Sequence, residues 1–187
     1  MASPVAHSFA GLWTLLLFAK QMHLRLTLQW RSWVAKLGLL IVVANLPDFD
    51  FAISFAVLGN DKLHHEFTHS LTLALLVSLG LSYIWQIARS FWSTFAVYLT
   101  AYGSHLLIDL FTGSRLGWTG SGSGIPLFWP WPRKFSSPLI LIPGVRHGDL
   151  HALFSLKNAS SAMYELLIFG GITALVLLIR ARRARHG

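Results

Sequence analysis

The chain has 187 residues, of which 54% are hydrophobic and 12% charged, with a mean hydropathy of +0.57 and a formal charge of +8. Soluble domains are about a quarter charged, so these values exclude an ordinary soluble protein and indicate an integral membrane protein. With no cysteine there are no disulfides and no thiolate ligands, and any metal must be held by nitrogen and oxygen.

The first apolar segment, Pro4 to Ala19, is a little short for a span of about 20 residues, and His7 sits near its start. The preceding MASPVAHS lacks the basic region of a cleaved signal peptide. From Lys20 to Lys36, basic residues alternate with Leu24, Leu26, Leu28, Trp30 and Trp33, the pattern of an amphipathic interfacial segment. Leu37 to Leu58 reads as a second span, interrupted by Asn45-Leu-Pro47-Asp48-Phe-Asp50. Pro47 breaks the backbone ladder there, which at membrane depth requires a protein-lined or wet cavity. Each mid-membrane Asp costs about 3 kcal/mol on insertion scales, so Asp48 and Asp50 point to a compensating cation.

Gly59 to His69 is a polar connection into a third span, Ser70 to Ala88. At its entrance stand His64, His65 and His69, a concentration of the side chain that most often ligates zinc-like ions. Thr68 or Ser70 is placed to cap the span that follows. Phe91 to Gly113 is the fourth span and carries His105 and Asp109. Four residues apart, these two share one helix face, and ionisable groups inside a membrane helix mark functional sites. Ser114 to Ser161 is rich in Gly, Ser, Pro and Trp and reads as an interfacial lid or hairpin. It includes Arg146-His147-Gly-Asp149-Leu-His151, a further set of ligand types without fixed geometry. The last span, Ala162 to Ile179, ends in a tail with Arg180, Arg182, Arg183 and Arg185.

No linker or internal repeat divides the chain, so residues 1–187 are expected to form one all-α domain of about five membrane-embedded helices. Much of the positive charge flanks these segments, where it sets orientation. No basic and aromatic recognition motif accompanies it, so nucleic acid is not an expected partner. Five spans place the basic loops and tail on the cytoplasmic side. By the same parity His7, Asp48, Asp50, the histidines at 64–69, His105 and Asp109 all fall toward the outer face, as one shared site requires.

Together Ser3-Pro-Val-Ala-His7, Leu46-Pro47-Asp48-Phe-Asp50, His64-x4-His69-Ser70, His105-Leu-Leu-Ile-Asp109 and Pro126-Leu-Phe-Trp129-Pro130 resemble a bacterial and archaeal family. It is that of the inner-membrane-bound metal-dependent hydrolases, also described as LexA-regulated or YdjM-like. The resemblance covers most of residues 1–140 in order. His65 and Glu66 stand where the family usually has Arg and Gly, which leaves His64 and His65 as alternative ligands. The order of ligand types is also similar, more distantly, to the zinc-dependent phospholipase C and single-strand nuclease group.

The resulting expectation is an inner-membrane, multi-pass protein with an extracytoplasmic metal site of His7, Asp48, Asp50, His64, His69, His105 and Asp109. Seven ligands exceed the four of a tetrahedral zinc, so either two ions bind or some residues orient others. Zinc or a similar divalent ion would activate water against a phosphoester of a lipid or lipid-linked substrate, with Glu66 and Asp50 as candidate catalytic carboxylates. Two alternatives stand beside it. One is a non-enzymatic, metal-stabilised membrane scaffold or regulatory protein. The other is a zinc protease using His65-Glu66-x-x-His69.

Overall fold

The computed structural model describes residues 1–24, 30–58, 66–146 and 154–186. Among these the chain is mainly helical, in agreement with the all-α expectation: α1 (Pro4–Phe18), α2 (Trp30–Asn45), α3 (Phe49–Leu58), α4 (Leu71–Ile84), α5 (Phe91–Leu110) and α6 (Leu156–His186). Three of the helix starts have a local cause in a serine cap. Ser3 caps α1, its Oγ accepting from the Val5 amide at 3.2 Å, and Pro4 occupies the first turn, where its missing N–H costs nothing. Ser70 caps α4 by accepting from the Leu73 amide at 3.2 Å, and Ser90 does the same for α5 through Ser93.

Five spans were expected, but a single described helix is long and apolar enough to cross a membrane, over Leu156–Arg182. The physical reason is the length of the others. Leu37 to Leu58 is not one helix: Pro47 forces a 3-10 turn at Leu46–Asp48, leaving α2 and α3 as separate pieces of 16 and 10 residues. α1 has 15 residues and α4 has 14, both short of the roughly 20 that a span needs. α5 reaches 20 residues, but Thr94, Tyr98, Tyr102, His105 and Asp109 make its buried face polar.

α6 starts earlier and runs further than the expected Ala162 to Ile179. Little of its apolar surface is covered by the rest of the chain: Leu167, Leu175 and Leu178 are 67%, 59% and 60% exposed. A core helix of a soluble protein would bury such residues.

α5 is the centre of the packing. Val97, Tyr98, Ala101, Tyr102 and Leu106 are buried against Leu15 of α1, Leu40 and Val43 of α2 and Ala74 of α4. α1 and α6 lie alongside each other in parallel. Ser3 meets Glu165, the Trp13 indole donates to Thr173 Oγ1 at 2.7 Å, and Arg180 Nη1 reaches the Leu16 carbonyl at 3.3 Å.

Of the region Ser114 to Ser161, expected as a lid or hairpin, the described part after α5 is irregular chain pinned by short strands, and its end from Leu156 belongs to α6. β1 (Thr112–Gly113) pairs in parallel with β4 (Ile142–Pro143), and β2 (Gly117–Trp118) pairs antiparallel with β3 (Leu139–Ile140). The Gly113 and Ser121 backbones approach so closely that a Cβ on Gly113 would lie 2.5 Å from the Ser121 carbonyl oxygen, so only glycine fits there.

Candidate metal centre

Three elements deliver side chains to one buried point. The helical spacing of α5 turns His105 and Asp109 the same way, with His105 Nε2 3.3 Å from Asp109 Oδ2. The 3-10 turn forced by Pro47 presents Asp48, whose Oδ1 lies 3.4 Å from His105 Nε2 and 3.3 Å from His69 Nε2. A second 3-10 turn, Phe67–His69, presents His69, whose Nε2 is 3.2 Å from His105 Nε2 and 3.5 Å from Asp109 Oδ2. One ligand atom from each of Asp48, His69, His105 and Asp109 lies within 4.8 Å of the others, a spacing that suits one shared cation.

The outer nitrogens of both imidazoles are already engaged. His105 Nδ1 is 2.8 Å from the Ala44 carbonyl, which can only accept, so the proton sits on Nδ1 and the Nε2 lone pair faces the cluster. Ala44 belongs to the last turn of α2, where carbonyls lack helical donors. His69 Nδ1 faces Asp50 Oδ2 at 3.4 Å and Thr68 Oγ1 at 3.1 Å, and the Thr68 hydroxyl itself bonds to Asp50 Oδ2. Ligating histidines are commonly oriented in this way, through a carboxylate or carbonyl on the far nitrogen.

His7 completes the arrangement from α1. Its ring stacks on His105 with centroids 3.7 Å apart, and its Nε2 lies 3.7 Å from Asp109 Oδ1 and 3.9 Å from Asp48 Oδ2. Neither ring nitrogen of His7 and neither carboxylate oxygen of Asp48 has a hydrogen-bond partner among the described residues. Buried polar atoms are nearly always satisfied, so the Asp48 oxygens and His7 Nε2, which faces them, fit a cation that nitrogen and oxygen donors would hold. His7, His69, His105 and Asp109 have fully buried side chains, and that of Asp48 is 11% exposed.

Of the residues expected from sequence, the structure brings together His7, Asp48, His69, His105 and Asp109. It places Asp50 behind His69 instead of among the inward-facing ligand atoms. Glu66 is held apart: its carboxylate lies 3.6 Å from Lys134 Nζ and both side chains are half exposed. Its backbone, at φ −101° and ψ −136°, is not helical, and only Phe67–His69 form a 3-10 turn, so Glu66 and His69 do not share a helix as a His-Glu-x-x-His protease requires. His64, His65, His147, Asp149 and His151 lie outside the described residues.

Sequence reasoning missed three partners. The Ala2 amide donates to Asp109 Oδ1 at 2.9 Å, and the Tyr102 hydroxyl donates to the Thr68 carbonyl at 2.7 Å, steadying the turn that carries His69. Glu165, fully buried, accepts from the Ser3 and Ala6 amides at 2.8 and 3.1 Å. That a carboxylate stands inside the last apolar segment was a signal for Glu165.

A family model described as YdjM inner membrane protein matches residues 1–185. No curated protein and no solved structure matches the chain.

Proposed function

The chain belongs to the YdjM inner membrane protein family, and from that premise we propose that it is a metal-dependent hydrolase cleaving phosphoester bonds of a lipid or lipid-linked substrate. One observation carries the substrate class. Asp48, the partly exposed member of the cluster, opens onto a groove of about 420 Å³ lined by Pro4, Ser8, Ile41, Val42, Asn45 and Phe49. A second hollow of about 400 Å³ shares Pro4, Ser8 and Ile41 and continues past Val5, Phe9, Leu12 and Leu37. The way to the cluster is therefore polar at its inner end and apolar along its length, which matches a molecule with a polar head and a hydrocarbon tail.

Asp48, His69, His105 and Asp109 are the residues that would hold the ion, with His7 as a further nitrogen donor. We read it as zinc, for which two imidazoles and two carboxylates are suitable donors. When bound there, such an ion acts as a Lewis acid and lowers the pKa of a coordinated water. The chain supplies the rest. Asp50 and Thr68 orient the His69 ring, the Ala44 carbonyl holds the His105 proton away from the cluster, and the buried walls exclude bulk water.

We place the site toward the extracytoplasmic face of a multi-pass inner-membrane protein. α1 runs parallel to α6, and α6 ends in Arg180 and Arg182, the cytoplasmic end by the positive-inside rule. The opposite ends, with Ser3 and His7, then face outward.

A structural metal is the second reading, favoured by the full burial of four cluster side chains. Purified protein incubated with mixed inner-membrane phospholipids and with casein-like peptides separates the readings. Release of phosphate esters that stops with His105→Ala or with chelation supports the hydrolase. Metal-bound protein inert to both substrates supports the scaffold, and peptide cleavage would contradict both.

A further inference from the structure

The chain after α5 borders a second cavity of about 520 Å³, lined by Gly113, Ser114, Ser121, Gly122, Arg146 and Lys157 among others. We infer that this cavity binds a phosphate group, with Arg146 and Lys157 as its charged contacts. Its volume falls within the roughly 300–1,000 Å³ of small-molecule sites.

Among the described residues the walls contain the Arg146 and Lys157 side chains and several hydroxyls, and no acidic side chain. Neither Arg146 nor Lys157 is paired with a carboxylate among the described residues, in contrast to Lys134, which meets Glu66 at 3.6 Å. The Ser114 hydroxyl, likewise, has no hydrogen-bond partner among them, whereas that of Ser121 is committed to the Arg115 carbonyl at 3.2 Å. Two unpaired cations beside a free hydroxyl and glycine backbone form a surface complementary to an anion with several acceptor oxygens.

The two cations are held near each other by one buried side chain. Asn158, next to Lys157 on α6, uses both ends of its amide on the backbone of Arg146. Its Oδ1 accepts from the Arg146 amide at 2.8 Å, and its Nδ2 donates to the Arg146 carbonyl at 2.7 Å. The Arg146 backbone is thus clamped to the start of α6, which reduces the ordering cost of binding.

The position in the membrane supplies the phosphate. Lys157 lies five residues, about 7 Å along the helix, before Ala162, where the strongly apolar part of α6 begins. That is the level of lipid headgroups. The cavity is also joined to the metal cluster through the N-terminal strand of chain: the Val145 amide donates to the Met1 carbonyl at 3.1 Å, and the next amide, that of Ala2, donates to Asp109. Its role as a seat for a substrate phosphate beside the reaction site rests on the hydrolase reading, whereas binding itself does not.

The test is binding without turnover. Inorganic phosphate is titrated by calorimetry into detergent-purified protein, and native mass spectrometry compares dioleoyl phosphatidylglycerol with dioleoylglycerol, which lacks the phosphate. The expected result is saturable binding of a phosphate-bearing probe, weakened at least tenfold in an Arg146→Gln/Lys157→Gln variant that keeps its melting temperature and metal content. Preference for the phospholipid over inorganic phosphate would assign the cavity to headgroups, and the reverse to free phosphate, either one supporting the proposal. Should the double variant misfold, Lys157→Glu alone is read in the same way. Equal binding of every probe to wild type and variant, or no phosphate binding at all, overturns the inference. Full metal retention in Asp109→Ala with phosphate binding intact would count against the metal centre and leave this cavity standing.

Discussion

Glu165 on α6 accepts both the Ser3 and the Ala6 amides, at 2.8 and 3.1 Å, and also the Ser3 hydroxyl. One carboxylate from the long apolar helix thus satisfies the free amides at the start of the helix that carries His7. A negative charge at a helix N-terminus is in addition favoured by the helix dipole. The membrane helix and the metal cluster are joined at this point.

Replacing Glu165 by Ala strands these donors in a buried site. The expected loss is about 3 kcal/mol, or a melting temperature lower by roughly 6–12 °C for a chain of this size. Glu165→Gln, which keeps one acceptor oxygen, is expected to fall between. Thermal unfolding in detergent measures both, and an alanine variant melting with wild type would show that the contact contributes little.

Asp50 touches His69 through the nitrogen that faces away from the cluster. Asp50→Ala is therefore expected to weaken metal binding by about 10–100-fold without abolishing it, the usual range for an orienting partner. Competition with a metal-chelating dye reads this directly. Complete metal loss in Asp50→Ala would make it a ligand instead.

The proposed sidedness rests on the parallel course of α1 and α6 and on the basic end of α6. Because the chain has no cysteine, single cysteines can be introduced without removing any. An impermeant thiol reagent in intact cells is expected to label Ser121→Cys and to spare Ala184→Cys. Protection at 121 with labelling at 184 would reverse the orientation.

What the sequence made legible was local. His105 and Asp109 share a face because four residues are about one helical turn, and Pro47 marks a break wherever it falls, so these parts of the centre could be read directly. The number of spans could not. Hydropathy runs on through Leu37–Leu58, while the backbone there divides at Pro47 into α2 and α3, each too short to cross alone. Asp50 reads as a ligand because a carboxylate at membrane depth calls for a cation, but the change from 3-10 turn to helix after Asp48 turns it to the outer nitrogen of His69. Glu165 depends on partners at Ser3 and Ala6, far away in sequence, and no spacing rule links them.

The central claim is that Asp48, His69, His105 and Asp109 form a metal site. Elemental analysis of protein purified without chelators tests it most directly, alongside His105→Ala and Asp109→Ala. The wild type is expected to carry one or two equivalents of zinc or a similar divalent transition metal, each variant sharply less, and the melting temperature is expected to fall on metal removal. Wild-type protein that is metal-free and gains no thermal stability from added metal would contradict it.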